Sequence, residues 1–227
     1  MSPDPRTNEP APTPSEGGVS PALPVFLSTE HWSLLGTRSL TWAEVMSRIT
    51  IHLTVVSAFL VVLVLTAQRT GFGTPFRVMA IGFASAALVM GTLTAIRVNM
   101  ASQEDAGLVT AMNRLRHAYV DLAPEIEPYL TASIHDDTRG LMHSYSVGQR
   151  RNPILHVMGS TSFFLMTVNA IVAGALGALV ASAVDASTGT VAVVGVLAGL
   201  AYVLAHLEIA RRVFRDKPFD VHFPTPE

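Results

Sequence analysis

Four stretches of this chain carry no formal charge, and nothing else about the sequence limits its fold so strongly. No Asp, Glu, Lys or Arg occurs between Arg48 and Arg69, Arg77 and Arg97, Arg151 and Asp185, or Asp185 and Glu208. The gaps run to about 20, 19, 33 and 22 residues, and a helix needs about 20 to cross the hydrocarbon core of a bilayer. Val, Leu, Ala, Ile, Gly and Met fill them. Membrane spans are expected near residues 50–68, 78–97, 158–182 and 187–207. A soluble fold would have to hide all four in one small core. With 14% charged residues, against roughly 25% in typical soluble domains, the composition argues the same way.

The arginines set an orientation, because cytoplasmic segments carry the excess of basic residues. With four spans, the two tails and the middle loop share a face. That face holds Arg6, Arg38, Arg48, Arg97, Arg114, Arg116, Arg139, Arg150, Arg151, Arg211, Arg212, Arg215 and Lys217; the other holds only Arg69 and Arg77. Both termini are therefore expected in the cytoplasm, with the protein multi-pass in the plasma membrane. The net charge of −2 offers no bulk basic field for nucleic acid. The lack of cysteine excludes disulfides, thiol catalysis and thiolate metal sites.

Six segments follow from this pattern. Residues 1–24 hold seven prolines and no apolar core, so they read as a disordered tail rather than a signal peptide. Residues 25–48 read as an interfacial segment and the start of the first helix. In that segment Thr41 and Glu44 match a capping box, which would begin the helix near Trp42. Residues 49–97 form a first transmembrane hairpin, 98–157 a cytoplasmic helical insert, 158–208 a second hairpin and 209–227 a basic cytoplasmic tail. Within the insert, Ser102-Gln103-Glu104-Asp105 reads as a helix start. Leu108, Met112, Leu115, Tyr119 and Leu122 make an apolar stripe, and Pro124 and Pro128 break it. A second helix is expected from about Ser133 to Tyr145, ended by Gly148 and capped by Ser133 or Asp136. Neither stripe can be buried by its own helix. They must pack on the span ends, on each other or on a second subunit.

Small residues recur inside the spans: Gly195 and Gly199 as GxxxG, Ala173, Gly177 and Ala181, Gly174 and Ala178, and Ala87, Gly91 and Ala95. Such faces let helix backbones approach closely, within one bundle or between two copies.

No carboxylate or cation lies within the spans, which argues against a proton-coupled carrier. The intramembrane polar candidates are Asn169 and Ser57. Three of the eight histidines, His52, His156 and His206, fall at the cytoplasmic ends of spans, and Arg97 lies at the same depth. Converging, they would form a titratable cluster that could sense pH, as the gate of a channel would, or hold a divalent metal through neutral imidazoles. The insert adds His117 and Asp121 at helical spacing, and a weaker cluster of His135, Asp136, Asp137 and His143. No zinc-type spacing such as HExxH occurs, nor any P-loop, GxGxxG, GxSxG or TVGYG motif. No metal, cofactor or catalytic residue is expected.

The run MNRLRHAYVDLAPEIEPYLTASIHDD, residues 112–137, set between two hydrophobic pairs, resembles uncharacterised four-span integral membrane proteins of GC-rich bacteria. The resemblance implies an architecture of two spans, a cytoplasmic helical segment and two more spans, and carries no activity.

The expected fold class is thus all-α and membrane-integral. The leading expectation of function is a non-enzymatic polytopic protein that acts through self-association or through a membrane partner contacted by the insert. The alternative is a small channel or facilitator with a pH-sensitive cytoplasmic histidine gate. A membrane enzyme built on His135, Asp136 and Asp137 is the third.

Overall fold

A computed structural model of the chain describes residues 20–147, 157–215 and 220–226. Its elements in order are α1 (Leu23–Thr70), α2 (Thr74–Leu122), a 3-10 turn (Pro124–Tyr129), α3 (Thr138–Ser146), α4 (Thr161–Ala183) and α5 (Thr188–Arg215). The described residues contain no strand. Four of the helices are long and apolar enough to cross a membrane. Their outward faces carry large apolar side chains such as Leu60, Val64, Val89, Ile171, Val193 and Leu204, as lipid-facing surfaces require.

α1 and α2 are far longer than their apolar segments. They have 48 and 49 residues, about 72 and 74 Å at the usual rise, whereas a hydrocarbon core is about 30 Å thick. Roughly half of each rod extends past the core. The helix starts expected at Thr41 and Ser102 are therefore not starts. Thr41 and Glu44 lie inside α1, where Glu44 binds Arg97 of α2 at 2.8 Å and Arg48 at 2.8 Å. Ser102 lies inside α2 and donates to the Val98 carbonyl at 2.9 Å. A serine or threonine three residues before an acid signals a cap only when the chain upstream is not already helical. Here it is: Ser102 bonds its own helix, and the acids Glu44 and Asp105 take partners on other helices instead.

The ends of these rods follow simple chemistry. α1 stops at Gly71, whose φ of 64° suits glycine, and Pro75 opens α2 after a three-residue connection. Pro124 ends α2 as its sequence position requires. α3 starts at Thr138, not Ser133, because its cap is Asp137, which accepts from the Gly140 amide at 2.7 Å. It ends at Ser146 with Val147 left-handed at φ 51°. The proline-rich tail before residue 20, Gly148, Arg150, Arg151, His156 and Lys217 lie outside the described residues.

α1 packs along α2, α2 along α4, and α4 along α5. Val45, Ile49, Ala95, Val98, Ala101 and Leu165 form the core where α1, α2 and α4 meet. At the α4–α5 crossing the small residues of the two helices face each other. A Cβ on Gly199 would sit 3.0 Å from the Ala170 carbonyl oxygen, and one on Gly177 would sit 2.7 Å from the Ala198 Cβ. The GxxxG pair is thus occupied by α4 of the same chain. Near the α2 start, Arg77 reaches the α4–α5 connection, pairing with Asp185 at 3.3 Å and the Ser182 carbonyl at 3.3 Å.

Beyond the other end, the extended halves of α1 and α2 carry α3. Of the expected stripe on α2 only Met112 is buried: with Val109, which lies outside the stripe, it packs on Leu141 of α3, with Leu34 of α1 and Tyr145 alongside, while Leu108, Leu115 and Leu122 are only partly covered. Tyr119 donates to the Leu27 carbonyl of α1 at 3.1 Å and stacks on His31.

Candidate functional site

Two arrangements of polar side chains stand out, one among the long helices and one in the head formed by α3 and the extended halves of α1 and α2.

The first draws a residue from each of the four long helices. His52 of α1 is buried against α2, where Gly91 leaves room; a Cβ at 91 would overlap Asn169 Oδ1 and fall 2.9 Å from His52 Cε1. Asn169 of α4 is fully buried, and its Nδ2 donates to the Tyr202 hydroxyl of α5 at 3.1 Å. Thr92 of α2 gives its own proton to the Leu88 carbonyl at 2.7 Å, so the Tyr202 hydroxyl donates to Thr92 Oγ1 at 3.2 Å. The ring of His206, one turn on, stacks on Tyr202 with centroids 6.2 Å apart. The chain of donors from Asn169 through Tyr202 to Thr92 ties α4, α5 and α2 together.

Some capacity is left over. Both ring nitrogens of His52, Oδ1 of Asn169 and Nε2 of His206 are buried with no hydrogen-bond partner among the described residues. Unpaired buried polar atoms are costly, and imidazole is the side chain best suited to take or release a proton near neutrality. The other residues singled out at this depth go elsewhere. Arg97 is engaged by Glu44 at 2.8 Å and Glu104 at 3.1 Å. Ser57 is exposed and donates to the Leu53 carbonyl of its own helix at 2.8 Å. His156 lies outside the described residues.

The second arrangement is built on Asp136 and Asp137. Asp136 is buried, and its carboxylate accepts from Arg114 Nε at 2.7 Å and from the backbone amides of His222 at 2.9 Å and Phe223 at 2.8 Å. The Asp136 amide in turn donates to the Phe223 carbonyl at 3.2 Å. Asp137 accepts from the Thr225 amide at 2.8 Å and the Thr225 hydroxyl at 2.9 Å while capping α3. Phe223 stacks on His117 with ring centroids 4.0 Å apart, and Arg114 Nη2 donates to the Asp220 carbonyl. A C-terminal segment, residues 220–226, is therefore held against α2 and the α3 cap.

Electrostatics favour the ionised carboxylates. Burial alone would raise the Asp136 carboxyl, but the amides of His222 and Phe223 and the Arg114 guanidinium outweigh it and hold it below the usual carboxylate range. Asp137 is lowered likewise: its burial is outweighed by the Gly140 amide and by the amide and hydroxyl of Thr225.

His135 gives its carbonyl to Asn113 Nδ2 at 2.8 Å. Asn113, fully buried, also accepts from Arg116 and Ser144 at 2.7 and 2.8 Å. His143 is exposed at the rim of a cavity of about 290 Å³ that also involves Glu127, His135, Arg139 and Thr225. His117 and Asp121 form only a loose pair at 3.9 Å. No group of three or more His, Asp or Glu among the described residues is placed to hold a metal ion.

One buried acid has no counterpart among the sequence candidates. Asp105, read from sequence as a first-turn acid, sits mid-helix and is almost fully buried. It accepts from Arg38 Nε at 2.6 Å, Trp42 Nε1 at 2.8 Å and the Tyr145 hydroxyl at 2.6 Å. These donors come from α1 and α3, so Asp105 is the hub of the head.

Compared with protein-family models, curated proteins and solved structures, the chain matches none.

Proposed function

We propose that this is a non-enzymatic membrane protein with two transmembrane hairpins and a cytoplasmic head, both termini cytoplasmic, that acts through contacts the head makes with a second copy or a membrane partner. The observation that supports it most is the outer face of α1 beyond the apolar segment. Phe26, Trp32 and Leu40 are 69, 72 and 73% exposed there, while the opposite side is spent on α2 and α3. Clustered exposed apolar side chains on a rigid element mark interaction surfaces. The carboxylates that might have served catalysis are instead occupied by amides, guanidinium and hydroxyl groups.

Trp32→Glu combined with Leu40→Glu should lower the mass of the protein assembly in lipid nanodiscs, or strip a co-purifying membrane partner, without changing thermal stability. An unchanged mass and an unchanged set of co-purifying proteins would contradict the proposal.

The small facilitator is a second reading, favoured by the unpartnered nitrogens of His52 and His206 beside Asn169. It expects reconstituted protein to pass ions at pH 5 and not at pH 8, with His52→Phe removing the difference. Absence of flux at both values would dispose of it.

A further inference from the structure

The segment at residues 220–226 is held in a way unlike the rest of the fold. It belongs to no helix, and Asp220, Val221, His222, Pro224 and Pro226 remain exposed on its outer side. It bends at His222 and Phe223, and its contacts are mostly those of a bound peptide main chain. Two carboxylates take the amides of residues 222, 223 and 225, one backbone amide returns a bond to the 223 carbonyl, and a guanidinium takes the 220 carbonyl. Among the described residues two ring or hydrogen-bond contacts read its side chains, the Phe223 ring on His117 and the Thr225 hydroxyl on Asp137. The groups that receive it, Arg114, His117, Asp136 and Asp137, come from α2 and from the loop that leads into and caps α3.

We propose that Arg114, His117, Asp136 and Asp137 form a peptide-binding site for a non-helical, bent segment with an aromatic residue two positions before a threonine, and that residues 220–226 are its resident ligand in cis. The site is the specific form of head contact put forward above and rests on that reading. Main-chain hydrogen bonds give such a site affinity, and the ring and hydroxyl contacts give it selectivity. A segment tethered to the same chain holds its site at an effective concentration near the millimolar range. A partner segment of the same pattern, from another protein or from a second copy, takes its place when its own affinity or local concentration is higher. Ionised carboxylates are required, since a protonated Asp136 would no longer accept two amides and a guanidinium. Because these contacts hold the Asp136 carboxyl below the usual carboxylate range, docking persists at neutral and mildly acid pH and is lost only as the pH falls through that lowered value.

The test uses the full-length protein in nanodiscs and a fluorescent synthetic peptide carrying the sequence of residues 217–227. Phe223→Ala with Thr225→Ala in the full chain removes both side-chain contacts, weakens the resident segment and so opens the site to the peptide. That variant should bind the peptide roughly tenfold or more tightly than wild type, whose site is occupied in cis. Adding Asp136→Asn should abolish binding. If the opened variant is folded by its thermal transition and fails to bind, the proposal is overturned; equal binding by wild type, or no effect of Asp136→Asn, overturns it as well. If that variant does not fold, hydrogen exchange on wild type decides. Millimolar peptide should speed exchange at the amides of His222, Phe223 and Thr225, and a peptide with alanine in place of the phenylalanine should not. Unchanged exchange with the native peptide is a refutation. Peptide binding without any effect of the Trp32 and Leu40 changes on assembly would keep this site and remove the α1 face. The reverse result would keep the face and remove the site.

Discussion

Asp105→Ala is expected to unfasten the head and leave the membrane bundle in place. The substitution removes at once the acceptor shared by the Arg38 guanidinium, the Trp42 indole N–H and the Tyr145 hydroxyl, and leaves the Arg38 charge without its carboxylate. Removing one partner of a buried ion pair typically costs about 3–5 kcal/mol, because the other charge stays buried and unpaired. The Arg38 side chain is 35% exposed, so water can recover part of that loss, and about 3 kcal/mol is the expected effect. Asp105→Asn keeps an acceptor for the indole and the guanidinium and should cost distinctly less. Since the donors lie on α1 and α3, the damage should be local. Tryptic cleavage after the exposed Arg139 of α3 should speed up strongly, while the bundle, held by the α4–α5 crossing and the core around Val45 and Leu165, should keep its helicity in detergent. Cleavage at the wild-type rate would mean that Asp105 does not organise the head.

The parts of this architecture written in uninterrupted apolar runs were legible from sequence; the parts written in polar residues were much less so. The four charge-free gaps map onto helices because a span must be apolar along its whole length. Pro124 ended a helix where expected because proline acts on its own neighbours. The two misplaced helix starts had the opposite cause. Thr41 with Glu44, and Ser102 with Asp105, carry cap-like chemistry, yet in both places an unbroken helix continues and the acid reaches a distant partner. The cross-helix partners Arg97 of Glu44 and Arg38 of Asp105 lie 53 and 67 residues away, so local spacing, which shows only the Glu44–Arg48 pair, carries no trace of them.

Distance along the chain hid the sites for the same reason. His52, Asn169 and His206 could be singled out individually as polar residues at membrane depth. That Asn169 would meet Tyr202, or that Gly91 would make room for His52, depends on which helices are neighbours. His135-Asp136-Asp137 stands out in the sequence as an acidic run beside a histidine, the composition on which the membrane-enzyme reading rests. The structure brings His222, Phe223 and Thr225 to it from more than 80 positions away. What looked like exposed chemistry is a hold on backbone amides.

All of this depends on a membrane lying across the charge-free segments with the head and both termini on one side, and the chain is well suited to a direct check. It contains no cysteine, so single cysteines can be introduced against a silent background. The decisive measurement is labelling of such variants in intact cells by a membrane-impermeant maleimide. Gly73→Cys and Ser187→Cys lie in the short connections after α1 and after α4, and both should label from outside. Glu125→Cys in the 3-10 turn and Ser20→Cys before α1 should label only after the cells are permeabilised. Labelling of Glu125→Cys in intact cells, or protection of Gly73→Cys and Ser187→Cys there, would contradict the account.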